Sequence, residues 1–542
     1  MQFLHGGELI ARQLSAQGVT AIYGLCGGHV APIFNSCEAN GIALIDVRHE
    51  QAAGHAADAH ARLTRNVGVA AVVAGPGVTD AVTAVANAYH ARSPMILIGG
   101  AAPLHSKGQG ALQEMPQTDI FTTMTKASFT IDKTEDIPAK FHEAFQTALS
   151  GRPGPVFIEV PIDIIYGTLE DAEIFPKVEI ASVEPEVGAM QHIFELVRAA
   201  EKPVLIAGSQ VYWDDASDAL RDLTDQTRMP VYTNGGGRGT LSMTHPHCFK
   251  LTRSKALKQA DLVIAIGTPL DFRMRYGQGW HPDIKFIQIE NDPDALNHNR
   301  EADVAMLANA RLTLEALGEG LQGIRYDDWL ATVSEMESVK REAQAEWEAL
   351  DDAPVNHFRF GAEINKFIDD DTILIGDGGD IVSASAKAIA VTKPGRWMDP
   401  GALGCLGVGM PFALAAQFLN PDKKVLVING DGSFGFNGFE FETAVRFNLP
   451  IVSIVGMDGA WGTIRHPTKN MLGQAAGTQL AHNTRYDQVV VALGGYGELV
   501  ETPDEIGPAL ERAFASGKPA CVNVVLDPDG LSKTNATTPY IV

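Results

Sequence analysis

Short, wholly apolar runs alternate with helix-forming stretches along almost the whole chain, and this alternation constrains the fold more than any other feature. Runs apolar on both faces suit strands of a parallel sheet covered by helices on each side. In the first part of the chain they are Ala21–Tyr23, Ile42–Ile45, Val67–Val73, Met95–Ile98 and Val156–Val160. The second part has Pro203–Ile206, Pro230–Tyr232, Leu262–Ile266 and Lys285–Ile289, and the third has Thr372–Ile375, Lys424–Asn429, Pro450–Gly456 and Ala520–Val525. A chain of 542 residues exceeds what one core holds. The acidic, proline-bearing stretch 168–185 has the composition of a linker, and the charged helical passage 326–352 marks a second boundary. The expected fold is therefore α/β, with three doubly wound parallel-sheet domains at 1–167, 186–325 and 358–530, and a tail at 531–542.

The net charge of −24 argues against a nucleic-acid or anionic-membrane surface. An anionic ligand would need local devices: a metal ion, helix N-termini or a few basic side chains. The five cysteines are scattered, without a Cys-x-x-Cys pair, which fits a reducing compartment and argues against structural zinc. The first residues form no basic-then-apolar signal and no apolar run is long enough to span a bilayer, so a cytoplasmic location is expected.

Chemistry concentrates where strands end. Asp431 lies between Gly430 and Gly432, after the apolar run Lys424–Asn429. The next strand ends at Asp458, 458 − 431 = 27 positions on. A parallel strand–helix–strand unit brings both acids to one sheet edge. Carboxylates and backbone carbonyls there suit Mg²⁺ shared with a phosphate, although a lone Gly-Asp-Gly is more often a turn. Gly376-Asp-Gly-Gly-Asp380 follows another strand, and its amides with the next helix N-terminus could cradle a diphosphate. In the first block, Gly27-Gly28-His29 and His49-Glu50 each follow a strand, and Glu50 opens an Ala-rich helix over Gln51–Leu63. An acid in a first helical turn is ordinarily a capping device, and a single His is ordinarily structural. Gly75 and Gly77 allow a tight turn in Ala74–Asp80, and Gln113 is a polar loop residue whose default place is the surface.

The Gly430–Gly459 segment resembles the thiamine diphosphate (ThDP) motif, a Gly-Asp-Gly followed by an Asn-Asn pair, with Met457-Asp458 standing in place of that pair. Arg48-His49-Glu50-Gln51-Ala52-Ala53 looks like the glutamate segment of the decarboxylase/acetolactate synthase superfamily, and the resemblance runs from Leu9 to about Pro528. It implies a pyrimidine-binding first domain, a central domain and a diphosphate-binding third domain. Glu50 would hydrogen-bond N1′ of the aminopyrimidine and Gly75 would border that ring. The Gly404 carbonyl and the Leu406 wedge would hold the bent cofactor. Gly378, Gly379, Asp380, Gly432, Ser433, Trp461 and Gly462 would line it. Asp431, Asp458 and the Ala460 carbonyl would ligate Mg²⁺, with the extra charge of Asp458 the main departure from the family.

Benzaldehyde lyase and its relatives carry a His and a Gln where this chain has His29 and Gln113, which makes these two catalytic candidates beside Glu50. Biosynthetic acetolactate synthases carry Gln-Trp-Gln where this chain has Trp461-Gly-Thr-Ile-Arg-His466. The resemblance thus implies a C–C lyase or carboligase acting on 2-hydroxy ketones or 2-hydroxyacyl-CoA thioesters, through a C2 ylide and a Breslow enamine. The alternatives are acetolactate synthase-type condensation or decarboxylation of 2-keto acids, and a degenerate regulatory subunit. Some relatives bind FAD, ADP or CoA in the central domain. No Gly-x-Gly-x-x-Gly follows the first strand there, so FAD lacks motif support. Arg238, Arg273 and Arg275 are the basic residues to watch, against a default of exposed, solubilising side chains. The expected partners are a small-molecule substrate and a second copy of the chain. At minimum this is a homodimer with active sites at the subunit interface, and a homotetramer is expected.

Overall fold

A computed structural model describes residues 4–531, so the predicted tail lies outside the described residues apart from Leu531. Three six-stranded sheets, each wholly parallel, follow one another along the chain. In space the first runs Ala43–Asp46, Ala21–Gly24, Gly68–Val72, Met95–Ala101, Val156–Pro161, Ala127–Thr130. The third runs Trp397–Met398, Ile373–Asp377, Val425–Gly430, Val452–Met457, Ala520–Val525, Tyr496–Val500. Counting each sheet's strands in chain order, both are arranged 2-1-3-4-6-5. The middle sheet has the order 3-2-1-4-5-6 of a doubly wound nucleotide fold, from Cys248–Phe249 through Pro203–Ala207 to Val304–Leu307. Helices cover both faces of each sheet, as the doubly apolar strands require.

Five strands lack a readable sequence signal: Ala127–Thr130, Cys248–Phe249, Val304–Leu307, Trp397–Met398 and Tyr496–Val500. All five are edge strands. An edge strand is short and partly wet, so it has no need of an unbroken apolar run.

The two connecting segments are tied down. Thr168–Leu169 pairs antiparallel with Leu4–His5, and Gln13 on the Gly6–Ala16 helix and its C-cap Gln17 bond the backbone of Phe175, Pro176 and Val178. The second boundary is one long helix, Asp327–Glu348, preceded by Tyr326, whose hydroxyl donates to the Val197 carbonyl (2.6 Å).

The first and third domains pack through the helices Glu50–Thr64 and Gly409–Leu419. Ala52, Ala53, Ala56, Ala57 and Ala59 are fully buried and share one apolar cluster with Phe412 through Ala416. Small side chains permit this close helix approach. Arg62 closes the seam: it is held by Asp58, stacks over the Phe412 ring at 4.9 Å and donates to the Asp399 carbonyl (2.6 Å). The middle domain joins the same seam through the Tyr212 hydroxyl on the Arg62 carbonyl (2.6 Å) and the Arg92–Glu290 ion pair (2.7 Å).

Candidate active site

Parallel strands deliver their C-terminal ends, and the loops that follow, to one edge. In the first domain that edge is built from glycines. A Cβ at Gly77 would lie 3.2 Å from the Glu50 Oε1, one at Gly75 2.9 Å from the Gln113 Cβ, and one at Gly100 2.2 Å from the His29 Cβ. Gly100 also abuts the Ala74 backbone N–H, so Glu50 and Gln113 border the loop Val73–Gly77 and His29 borders the strand end beside it. Gly75 has φ +63°, which together with the Gln113 contact leaves no room for a side chain. Gln113 itself takes φ +61°, unusual for a non-glycine residue.

Glu50 is 7% exposed at the first position of its helix; His49 is the N-cap, its Nδ1 accepting from the Gln51 N–H (3.1 Å). Capping is therefore done by His49, and no hydrogen bond among the described residues engages the Glu50 carboxylate. Burial lowers the pKa of His29, which keeps its imidazole neutral at pH 7.

One residue beneath this edge escaped the sequence reading. Gln117 is buried; its Nε2 donates to the Gly100 carbonyl (2.9 Å) and to Glu159 (2.8 Å), and its Oε1 accepts from the Gly75 N–H (2.6 Å). It fixes two of the three glycines. It lies four positions beyond Gln113, and no local signal in the sequence sets it apart.

The third domain's edge is acidic. Asp380, Asp431 and Gly462 each begin a helix at the end of a strand or its loop. Asp431 Oδ1 accepts from the Gly432 N–H (2.7 Å) and Oδ2 from the Gly459 N–H (2.8 Å), which locks the ends of two neighbouring strands together. Burial, reinforced by the nearby Asp458, pushes the Asp431 carboxyl up to about 7. Asp458 Oδ1 accepts from the Ala460 N–H (3.0 Å), and its Oδ2 lies 3.7 Å from the Nε2 of buried His357. Asp380 receives the Thr463 hydroxyl on Oδ1 (2.8 Å), while its buried Oδ2 has no partner. A Cβ at Gly462 would sit 2.7 Å from that Oδ2 and 3.1 Å from the Asp458 Oδ2, so only glycine fits between the two carboxylates. Gly432 likewise lies against the Trp461 ring, and Gly379 against Thr463. An all-oxygen set of mutually repelling carboxylates with an orphaned oxygen fits a hard divalent cation.

Asp377 is the second residue the sequence left unassigned. Its Oδ1 accepts from the Gly407 N–H (3.0 Å) and its Oδ2 from the Gly409 N–H (2.8 Å). This pins the loop carrying Gly404 and Leu406 beside the diphosphate-type cradle. Burial pushes Asp377 up to about 6. The Ser433 hydroxyl proton stays inside the loop, donated to the Asp377 and Gly430 carbonyls, so towards a ligand this oxygen can only accept.

In the middle domain, a cleft opens over the ends of Pro203–Ala207 and Leu262–Ile266, where the strand order reverses; Ser209, Gly235, Gly267, Arg92 and Arg273 line it. Of the three arginines singled out, Arg275 is exposed. Arg273 is clamped by Asp271 (2.6 Å). Arg238 departs from the default: it is half-buried, over the Trp397 ring at 4.9 Å. Asp225, His245 and His247 form the one His/Cys/acid group of metal-ligand spacing among the described residues. However, His245 Nδ1 accepts from the His247 N–H (3.2 Å), which commits its Nε2 to donate to Asp225 (3.0 Å) rather than to bind an ion.

Three sheets of this topology, with a buried glutamate on one outer edge and a carboxylate–glycine cradle on the other, define a class of cofactor-dependent α/β enzyme. The chain belongs to the thiamine pyrophosphate (ThDP) enzymes: the family's N-terminal TPP-binding domain matches residues 4–120, its central domain 190–317 and its C-terminal TPP-binding domain 377–524. Among its relatives, the acetolactate synthase large subunit IlvG of Mycobacterium tuberculosis is 37% identical over 97% of this chain and 96% of its own. The 2-hydroxyacyl-CoA lyase 2 of Caenorhabditis elegans is 36% identical over 96% and 89%. Human 2-hydroxyacyl-CoA lyase 2 is 34% identical over 96% and 90%.

Proposed function

We propose that this enzyme is a ThDP- and Mg²⁺-dependent C–C lyase/carboligase acting on 2-hydroxy ketones or 2-hydroxyacyl-CoA thioesters. The observation that carries the reading is that a neutral His29 and Gln113 border the same glycine-built edge as Glu50. Bound ThDP supplies a carbon nucleophile and an electron sink. The chain supplies proton handling and position. Glu50, buried and without a hydrogen-bond partner among the described residues, would exchange a proton at the pyrimidine edge of the site. His29, neutral at pH 7, can accept the hydroxyl proton of a 2-hydroxy substrate and return it to the product, while the Gln113 amide orients the substrate oxygen. Gly75 and Gly404 border the ring region and Leu406 wedges the cofactor. Gly378, Gly379, Gly432 and Gly462 let the backbone approach the diphosphate, with Trp461 packed behind Gly432. Asp431, Asp458 and the Ala460 carbonyl would hold Mg²⁺, and the orphaned Asp380 oxygen would be available to the same ion or its water.

Part of the same proposal is a homodimer whose active sites form between the first domain of one copy and the third of the other, assembled further into a homotetramer. Leu112, Phe436 and Phe439, 81%, 54% and 69% exposed beside the two edges, support a covering partner. A cytoplasmic location is also proposed, supported by five free cysteines. FAD in the middle-domain cleft has the position of the cleft in its favour and no motif. A second reading, condensation of 2-keto acids, is favoured by the name of the mycobacterial relative.

The test is a substrate panel (benzoin, a 2-hydroxyacyl-CoA, pyruvate) with ThDP and Mg²⁺ and products identified by mass spectrometry. Cleavage of a 2-hydroxy substrate as the fastest reaction is expected. Acetolactate from pyruvate as the fastest would replace this reading with the second.

A further inference from the structure

A cavity of about 530 Å³ lies in the seam between the second and third domains, apart from both cofactor-binding edges. Its walls are the ends of Val231–Thr233 and Cys248–Phe249 on one side and the Asp380–Ala388 helix on the other, with Ser383, Ala386 and Lys387 facing in. Arg238, Lys250, Arg253, Arg273 and Lys387 all line it, and no acidic side chain does. In a chain of net charge −24 this is a local reversal of sign.

Most neighbouring carboxylates are already taken, and Asp380, whose Oδ2 is unpartnered, acts on Lys387 only from beyond ion-pair distance. Asp271 clamps Arg273 (2.6 Å); Glu337 accepts from the Leu251 N–H (2.9 Å) and the Thr252 hydroxyl (2.6 Å); Glu348 pairs with Arg341 (3.0 Å); Asp399 accepts from Trp397 and Gly401. Among the described residues, Arg238, Lys250, Arg253 and Lys387 have no carboxylate within ion-pair distance. Their partners are neutral. Lys250 Nζ donates to the Ile389 carbonyl (3.2 Å) and Arg253 Nη2 to the Arg273 carbonyl (2.8 Å), while Arg238 and Lys387 lie over the rings of Trp397 and Phe358. Burial pushes Lys250 down to about 8 and lowers the other three, and Arg238 depresses both Lys250 and Arg253 further by repulsion. Four partly desolvated cations share one void, Arg238 repels Lys250 and Arg253 within it, and together they favour a multiply charged anion between them.

We propose that this cavity is a binding site for a small, multiply charged oxyanion of the pyrophosphate class, held by Arg238, Lys250, Arg253 and Lys387. It differs in kind from the diphosphate cradle, which is built from glycine amides and acids, and from the switch-point cleft, which opens on the other side of Arg273. The Asp380–Ala388 helix connects it to the cradle: Asp380 sits at the cofactor end and Lys387 at the anion end.

The test is calorimetric titration of the ThDP- and Mg²⁺-loaded full chain with pyrophosphate, at fixed ionic strength and with Mg²⁺ in excess. One saturable site is expected. The double variant K250Q/R253Q should lose about tenfold or more in affinity, K250R/R253K should retain it, and R275Q, which changes an exposed arginine outside the cavity, should leave it unchanged. If K250Q/R253Q does not fold, K387Q alone should still weaken binding by several-fold. Absence of saturable binding, equal weakening by R275Q, or binding that vanishes as cofactor occupancy rises would each overturn the proposal.

Discussion

The first and third domains have the same strand order, yet their strand ends carry opposite kinds of residue. The first presents Glu50, His29 and Gln113 on a floor of glycines, a set suited to moving protons. The third presents Asp380, Asp431 and Asp458 at helix starts and strand ends, a set suited to holding a cation and phosphates. An identical scaffold therefore places the loops, and the loops alone decide the chemistry. The comparison also extends to how each edge is braced. The proton-moving edge rests on an uncharged amide, Gln117, whereas the ion-holding edge rests on a carboxyl, Asp377, which orients the Gly404–Gly409 turn.

The largest effect should come from the proton-moving edge. Glu50→Gln removes the acid and little volume, so turnover should fall about 10²–10⁴-fold while the melting temperature stays within a few degrees. Full activity in steady-state assays would dissolve the contrast between the two edges. Next, Asp431→Ala removes both a proposed cation ligand and the anchor of the Gly459 N–H; Mg²⁺-dependent retention of ThDP should drop about 10²-fold, measured by fluorescence titration. Unchanged retention would move the ion elsewhere. Gly75→Ala forces a Cβ onto Gln113 at φ +63° and should cost about 1–3 kcal/mol in chemical denaturation.

Between the two edges stands Glu440, which accepts from the Arg48 N–H (2.9 Å) and the Thr443 hydroxyl (2.6 Å). Burial pushes its carboxyl up to about 7. A raised acid binds a proton in the folded state that the unfolded chain has already lost, so stability through this group falls as pH rises from the ordinary glutamate range to about 7. Glu440→Gln should abolish that fall and leave the variant about 1–3 kcal/mol more stable than the parent at pH 8, with little difference at pH 4. Equal pH profiles in urea melts would refute it. The smallest effect is expected from Asp458→Asn, which restores the family's residue: one ligand charge is lost and the repulsion on Asp431 is relieved, so Mg²⁺ affinity should change by less than about tenfold.

The inner strands were legible because each is apolar on both faces over its whole length, as in Val425–Gly430 and Leu262–Ile266. The edge strands were not, since a residue pair such as Trp397-Met398 becomes a strand only when Leu374 and Ile375 offer it a ladder. The same holds for the supporting side chains. Gln117 meets Gly75 across 42 positions and Asp377 meets Gly407 across 30, and nothing local in the chain announces either meeting. The expectation of a solubilising Arg238 failed for a related reason: its burial is made by Trp397 of another domain.

What the sequence determined by itself is what depends on neighbours along the chain: three parallel α/β units, glycines where strands turn, and acids at the ends of strands. The tertiary structure alone decided which acid is held by backbone amides and which is left with an unpartnered oxygen, and where four cations are brought together in an acidic protein. Local propensity acts over a few residues, whereas burial, repulsion and hydrogen-bond satisfaction depend on distances that exist only after the chain has folded.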